Sequence, residues 1–198
     1  MTDHYYSKHP LVNSNQRTID VKLRNREMSF LTDSGVFSKS GIDFGSRLLI
    51  ESMELCSDAQ VLDVGCGYGP IGLSAALLCP SGHVTMLDLN ERAVELSKLN
   101  AIKNHITQVS IIQSNLFENV PESTFDAILS NPPIRAGKET VHQIFMQSLN
   151  YLKQGGCLWV VIQKKQGAAS AKAKLETIFD RVEEVTKDKG YVIYKSIK

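Results

Sequence analysis

Apolar and polar positions along this chain fall into two alternating patterns. Short apolar runs read as buried strands: Val61-Leu62-Asp63-Val64, Val84-Thr85-Met86-Leu87, Val109-Ser110-Ile111-Ile112, Phe125-Asp126-Ala127-Ile128-Leu129 and Cys157-Leu158-Trp159-Val160-Val161-Ile162. Between them, apolar residues step at helical spacing. One helix starts near Ser46 and carries Leu48, Leu49, Ile50 and Met53; a second runs from Pro70 to Pro80. A third follows the capping Asn90 with Ala93, Val94, Leu96, Leu99 and Ala101 on one face. Val141, Ile144, Phe145, Ser148, Leu149 and Leu152 mark a fourth that Gly155-Gly156 should end, and Ala168 to Asp180 a fifth.

At the two ends the pattern changes to strict alternation. Ile19, Val21 and Leu23 alternate with Asp20 and Lys22, and Met28 and Phe30 resume after Arg24-Asn25-Arg26, which predicts a small hairpin turning near Asn25. Val182 to Thr186 and Tyr191 to Ser196 predict a closing hairpin over Lys187-Asp188-Lys189-Gly190, antiparallel because the return is so short. The expected fold is therefore α/β: a doubly wound, seven-stranded, mostly parallel sheet of Rossmann-like form, with a C-terminal antiparallel hairpin and a small N-terminal β-hairpin extension. One domain is expected over residues 1–198, with 1–45 as the extension and 46–198 as the core.

Composition refines this only modestly. A chain of 198 residues with 42% hydrophobic content can bury a full core. The net charge of +1 gives no whole-protein signature, but residues 48–130 hold ten acidic and three basic side chains, and residues 131–175 one acidic and seven basic. That asymmetry suits a basic face for a polyanion, with scattered solvated lysines as the bland alternative. Cys56, Cys66, Cys79 and Cys157 form no C-x-x-C pair, and no signal-peptide pattern or membrane-length apolar run is present, so reduced cysteines and a cytoplasmic location are expected. The five histidines show no metal-ligand spacing, and no metal is expected. Tyr5 and Tyr6, near the start, read as a wet end on which a base would at most stack.

The most informative stretch is Val61-Leu62-Asp63-Val64-Gly65-Cys66-Gly67-Tyr68-Gly69-Pro70. A strand breaks into a glycine turn and restarts as a helix with proline in its first turn, where the missing N–H has no partner to lose. Such a turn lets a ligand lie directly on the backbone at a helix N-terminus. Both a dinucleotide and S-adenosylmethionine fit the pattern, and so does a plain tight turn. Asp63 favours S-adenosylmethionine, because a carboxylate repels a pyrophosphate and attracts an ammonium group. Asp88 stands 25 residues after Asp63 at the end of the second strand, placed to accept from ribose hydroxyls, with Leu89 beside it. After the third strand, Asn115 and Leu116 stand where an adenine would lie; a turn-stabilising role for Asn115 is nearly as good a reading.

The fourth strand runs into Ser130-Asn131-Pro132-Pro133-Ile134-Arg135-Ala136-Gly137-Lys138. Two prolines stop helix and ladder alike and drive the preceding residues extended. The Asn131 side chain and the Pro132 carbonyl are thereby rigid acceptors for an amino group, orienting a delocalised nitrogen lone pair for attack on a methyl group. Lys164 and Lys165 leave the fifth strand on the same rim as Arg135 and Lys138.

Together these motifs and the terminal hairpin resemble class I S-adenosylmethionine-dependent methyltransferases. The lead-in through Gly35-Val36-Phe37-Ser38 and Asp43-Phe44-Gly45-Ser46, with Asn131-Pro132-Pro133-Ile134-Arg135-Ala136-Gly137-Lys138, is similar to the small-subunit ribosomal RNA guanine-N2 methyltransferases. The resemblance implies methyl transfer to N2 of a guanine in ribosomal RNA or a ribosomal subunit. It implies S-adenosyl-L-methionine as cofactor on Asp63, Gly65, Gly67, Gly69, Asp88, Leu89, Asn115 and Leu116, and catalysis by Asn131, Pro132 and Pro133. Phe37, Ile134, Arg135, Lys138, Lys164 and Lys165 are the expected substrate contacts. Two departures stand out: there is no room for the degenerate second copy that many members carry, which leaves open whether a second subunit, in a homodimer, takes over that half, and Ile134 stands where many amino-group methyltransferases place an aromatic. Phe37 is the candidate replacement. Glutamine-N5 or adenine-N6 methylation, a nicotinamide-dependent oxidoreductase and a non-catalytic RNA-binding module are the competing readings; Asp63 and the closing hairpin count against the oxidoreductase.

Overall fold

The computed structural model describes Lys8, residues 11–120 and residues 124–198; the stacking role considered for Tyr5 and Tyr6 lies outside them. Strands β1 (Arg17–Leu23) and β2 (Arg26–Thr32) form a separate two-stranded antiparallel sheet, with Leu23 opposite Arg26. The two turn residues, Arg24 and Asn25, take φ of 46° and 64°, as a type I′ turn requires. A left-handed arginine is held there by its contacts. Its N–H donates to Glu51 at 2.9 Å, and its guanidinium caps the Ile50 and Met53 carbonyls at the end of helix α1 (Phe44–Ser52). Arg24 is thus occupied within the fold.

Seven strands make the main sheet: β3 (Gln60–Val64), β4 (His83–Asp88), β5 (Val109–Gln113), β6 (Phe125–Ser130), β7 (Leu152–Gln163), β8 (Arg181–Asp188) and β9 (Tyr191–Ile197). Their order is β5-β4-β3-β6-β7-β9-β8, with β3 to β7 mutually parallel and β9 antiparallel to both its neighbours. Helices α1, α2 (Pro70–Leu78) and α3 (Glu91–Lys103), with the hairpin, cover the face that carries Val61, Met86, Leu129 and Trp159. Helices α4 (Lys138–Tyr151) and α5 (Ala168–Glu176) cover the face that carries Leu62, Leu87, Ile128 and Val160. Chain order reverses at β3, between β4 and β6, and this opens a crevice at the carboxyl ends of those strands.

Several boundaries differ from expectation. Helix α4 ends at Tyr151, and Leu152 already pairs with Phe125 as the first residue of β7. An apolar residue there satisfies a helical stripe and a buried strand equally, so spacing cannot separate them. Gly155-Gly156 sits in a bulge where pairing jumps from Phe125–Leu152 to Ala127–Cys157, and a Cβ at Gly156 would lie 2.9 Å from the Lys153 carbonyl oxygen. The closing hairpin turns over only Lys189 and Gly190, at φ of 44° and 82°. Helix α1 begins at Phe44 because Asp43 accepts from the Ser46 N–H at 3.1 Å and caps it.

The hairpin is fastened to the core through amides. Along β2, Leu31 exchanges hydrogen bonds with the Asn100 side chain (2.6 and 2.9 Å) and Ser29 with that of Asn104 (3.0 and 2.8 Å), so two residues of α3, one turn apart, stand in for a neighbouring strand. Asn100 also donates to the Tyr68 carbonyl at 2.8 Å and is fully buried. Asn100→Ala should therefore lower stability by on the order of 3 kcal/mol, because the half-buried backbone groups of Leu31 and the buried Tyr68 carbonyl lose their partners; urea denaturation measures it.

Candidate active site

The crevice holds a cavity of about 360 Å³ built from four loop starts. Gly65 and Gly67 line it after β3, Asp88 and Leu89 after β4, Ser114, Asn115 and Leu116 after β5, and Asn131, Pro132 and Pro133 after β6. The glycine turn and the asparagine-proline segment thus share one wall space.

The turn is held largely from outside. The Gly65 and Cys66 N–H groups both donate to the Leu87 carbonyl at 2.8 Å, and Gly67 N–H donates to Asp88 Oδ2 at 2.8 Å. Gly65 and Gly67 have φ of 79° and 58°, and a Cβ on either would meet no atom within 4 Å. Gly69 is different. It lies off the cavity as the N-cap of α2, and a Cβ there would lie 2.8 Å from Ser97 Oγ of α3, so its smallness serves helix packing.

The carboxyl groups also divide their roles. Asp88 reaches the cavity while its Oδ1 accepts from the Asn90 N–H at 2.8 Å, so it holds the glycine turn and the start of α3 together. Burial pushes its pKa up against the amide hydrogen bonds from Asn90, Gly67 and Leu89. Asp63 does not line the cavity. It is fully buried on the face of β3 that meets α1 and α2, and neither oxygen completes a hydrogen bond. Burial raises its pKa to about 8, the Gly72 N–H works against that rise, and the charge of Asp88 adds to it.

Asn115 takes the turn-stabilising role. Its Nδ2 donates to Glu118 at 2.7 Å, although the residue borders the cavity. Beside it Leu116 adopts φ of 50°, an unusual conformation for leucine, pinned by Ser114 Oγ donating to its carbonyl at 2.9 Å. Ser114 is a lining residue that the motifs alone did not single out.

The proline segment is rigid in detail. The buried Ser130 hydroxyl donates to the Val64 carbonyl at 2.8 Å, locking the end of β6 to β3. Ile134 N–H donates back to the Pro132 carbonyl at 2.8 Å around Pro133 (φ −74°, ψ 81°), an inverse γ-turn that fixes the carbonyl and leaves it a second lone pair. Asn131 Nδ2 donates to Ser46 Oγ at 2.9 Å and faces both Asp43 oxygens at 3.4 and 3.5 Å.

A second cavity, of about 330 Å³, adjoins the first. Phe37, Asn131 and Pro132 line both. Its remaining wall includes Asp43, Ile134, Arg135, Gln163, Gln166 and Tyr191. The structure therefore places Phe37, Ile134 and Arg135 at this chamber. Lys164 and Lys165 lie in the single 3-10 turn between its Gln163 and Gln166, and Lys138 opens α4 without lining either cavity. Gln163, Gln166, Tyr191, Asp43 and Ser46 were not singled out from sequence as site residues. The only signal was their position: the first two leave a strand at its carboxyl end, and the last two belong to the lead-in motif. Among the described residues no three His, Cys, Asp or Glu side chains come together as a metal site, and no helix is long and apolar enough to cross a membrane.

Residues 27–195 match the family model described as "Methyltransferase small domain". The chain belongs to that family. This small-domain methyltransferase is 57% identical over 200 residues to "Uncharacterized protein YbxB" of Bacillus subtilis, with full coverage of both chains. It is 30% identical over 172 residues to "Ribosomal RNA large subunit methyltransferase G" of Aeromonas salmonicida, covering 83% of this chain and 45% of that one. To "Ribosomal RNA small subunit methyltransferase C" of Klebsiella pneumoniae it is 34% identical over 138 residues, covering 68% and 40%. The chain thus spans less than half the length of these two ribosomal RNA methyltransferases. Among solved structures, "T. Thermophilus 16S rRNA N2 G1207 methyltransferase (RsmC) in complex with AdoMet and Guanosine" superposes with a TM-score of 0.85 at 24% identity, covering 96% of this chain and 52% of that one. The fold is the Rossmann-like methyltransferase fold, as the resemblance implied.

The buried Asp63 makes a pH prediction. Native Asp63 holds its proton to about pH 8, whereas an unfolded aspartate releases it near 4. The native state therefore binds more protons in that window, and stability falls as pH rises through it. Urea denaturation should find that the ligand-free protein loses stability between about pH 5 and 8, and that Asp63→Asn loses markedly less.

Proposed function

We propose that this chain transfers a methyl group from S-adenosyl-L-methionine to the exocyclic N2 amino group of a guanine in ribosomal RNA. The observation that carries the reading is that Asn131 and Pro132 form the wall common to two adjoining cavities. A group transfer needs two partners that meet at one point, and this wall supplies it.

The first cavity suits the cofactor on the chain's own terms. Its floor is glycine backbone without Cβ atoms, and a carboxylate stands at its ribose end. When bound, the cofactor supplies an electrophilic methyl group on a sulfonium. Gly65 and Gly67 would carry the methionine part, Asp88 the ribose, and Leu89, Asn115 and Leu116 the adenine rim. Asn115 acts there by shape, since its side-chain amide is engaged by Glu118.

The second cavity takes the target base. Asn131 Oδ1 and the free lone pair of the Pro132 carbonyl accept the two N–H bonds of the amino group and turn its lone pair toward the first cavity. The nitrogen so held would accept the methyl group that the bound cofactor supplies, the amine proton passing to water. A guanine must leave its stack to enter, which single-stranded or loop RNA allows most readily. Phe37, at the junction and 38% exposed, is the aromatic surface against which the base stacks in place of a residue at Ile134. Arg135 at the chamber, with Lys164 and Lys165 beside it, meets the phosphates.

Incubation with ribosomal RNA from cells lacking the protein, followed by nucleoside mass spectrometry, should show N2-methylguanosine; methyl on another nucleoside or on a protein glutamine would overturn the assignment. Asn131→Ala should lower turnover by at least roughly two orders of magnitude, with cofactor affinity by calorimetry nearly unchanged. Asp88→Ala should weaken cofactor binding by on the order of 1.5 to 3 kcal/mol.

A further inference from the structure

A primary carboxamide has an acceptor side and a donor side of nearly the same shape. Asn131 serves the reading above only when its oxygen faces the shared wall, and the two prolines that fix the backbone do not decide which way the side chain turns. We propose that Asp43 and Ser46, at the N-terminus of α1, are positioning residues that set the orientation of the Asn131 carboxamide. This rests on the proposed function.

The geometry is specific. Asn131 Nδ2 donates to Ser46 Oγ at 2.9 Å and faces Asp43 Oδ1 and Oδ2 at 3.4 and 3.5 Å. In the reverse orientation the amide oxygen would face a carboxylate, a repulsive arrangement at that distance. Oδ1 is thereby left for the cavity side. Ser46 is buried, 6% exposed, so water does not compete freely for its hydroxyl. Asp43 is itself held, because its Oδ1 caps α1 through the Ser46 N–H at 3.1 Å. Between them, a Cβ at Gly45 would stand 2.9 Å from the Tyr191 ring and 3.1 Å from Asp43 Oδ1, so the residue separating the two orienting groups has room only as glycine. The lead-in segment Asp43-Phe44-Gly45-Ser46 thus joins the start of α1 to a side chain 85 residues after Ser46.

Asp43→Asn keeps an N-cap, since asparagine caps as well as aspartate, and Ser46→Ala leaves the backbone of α1 in place. Single-turnover methyl transfer to ribosomal RNA from cells lacking the protein should slow by about tenfold for each and by about a hundredfold for the pair, the scale for losing one preorganised polar group. Cofactor affinity and melting temperature should stay near the parent values, and Ser46→Thr, which keeps the hydroxyl, should restore the rate. The deciding measurement repeats the pair in an Asn131→Ala background, where it should slow the reaction no further because its effect passes through Asn131. Parent-like rates in the pair, an equal slowing in the Asn131→Ala background, or a loss of rate that follows a loss of melting temperature would each overturn the inference while leaving the methyltransferase reading intact. If Asn131→Ala itself turns over at the parent rate, the reading falls first and the inference with it.

Discussion

The site depends on one carboxylate that works at both ends. Asp88 accepts from Gly67 on one side and from Asn90 on the other, both at 2.8 Å. The first bond holds a glycine turn whose residues would otherwise sample many conformations, and the second fixes the residue that caps α3. With the Leu87 carbonyl receiving two further N–H groups of the same turn, the end of β4 serves as the template on which the β3–α2 loop is shaped. The cost is a buried charge beside Asp63, and the raised pKa of both groups expresses it.

Side-chain amides and one guanidinium do the remaining fastening. Asn90 caps α3 with its oxygen while its nitrogen donates to the Gly35 carbonyl at 2.8 Å, Arg92 donates to the Ser34 carbonyl at 2.6 Å, and Asn100 and Asn104 pair with β2. Asn131 completes the series at the far end of the lead-in. Each contact joins segments distant in sequence, and each satisfies backbone or hydroxyl groups that burial would otherwise leave unpaired. The segment before α1 is therefore part of the site's wall, which is why Phe37 can border both cavities.

The amino-acid sequence by itself determined the alternation of strands and helices, the glycine turn, the rigid Asn131-Pro132-Pro133 exit and both hairpins. All of these arise from local causes: period, the fixed φ of proline, and positive φ at Asn25, the glycines and Gly190. It also placed Gly65, Gly67, Asp88 and Asn131 in one crevice, because strand ends of a doubly wound sheet converge there. Tertiary structure decided the rest. Leu152 joined a strand because Phe125 was waiting across the ladder, and Asn115 turned to Glu118. Asp63 faced the helices and not the cavity because every second residue of a strand points to the same side of the sheet. The second chamber draws Asp43, Gln163 and Tyr191 from three parts of the chain, and no local period carries a signal for contacts between residues tens of positions apart.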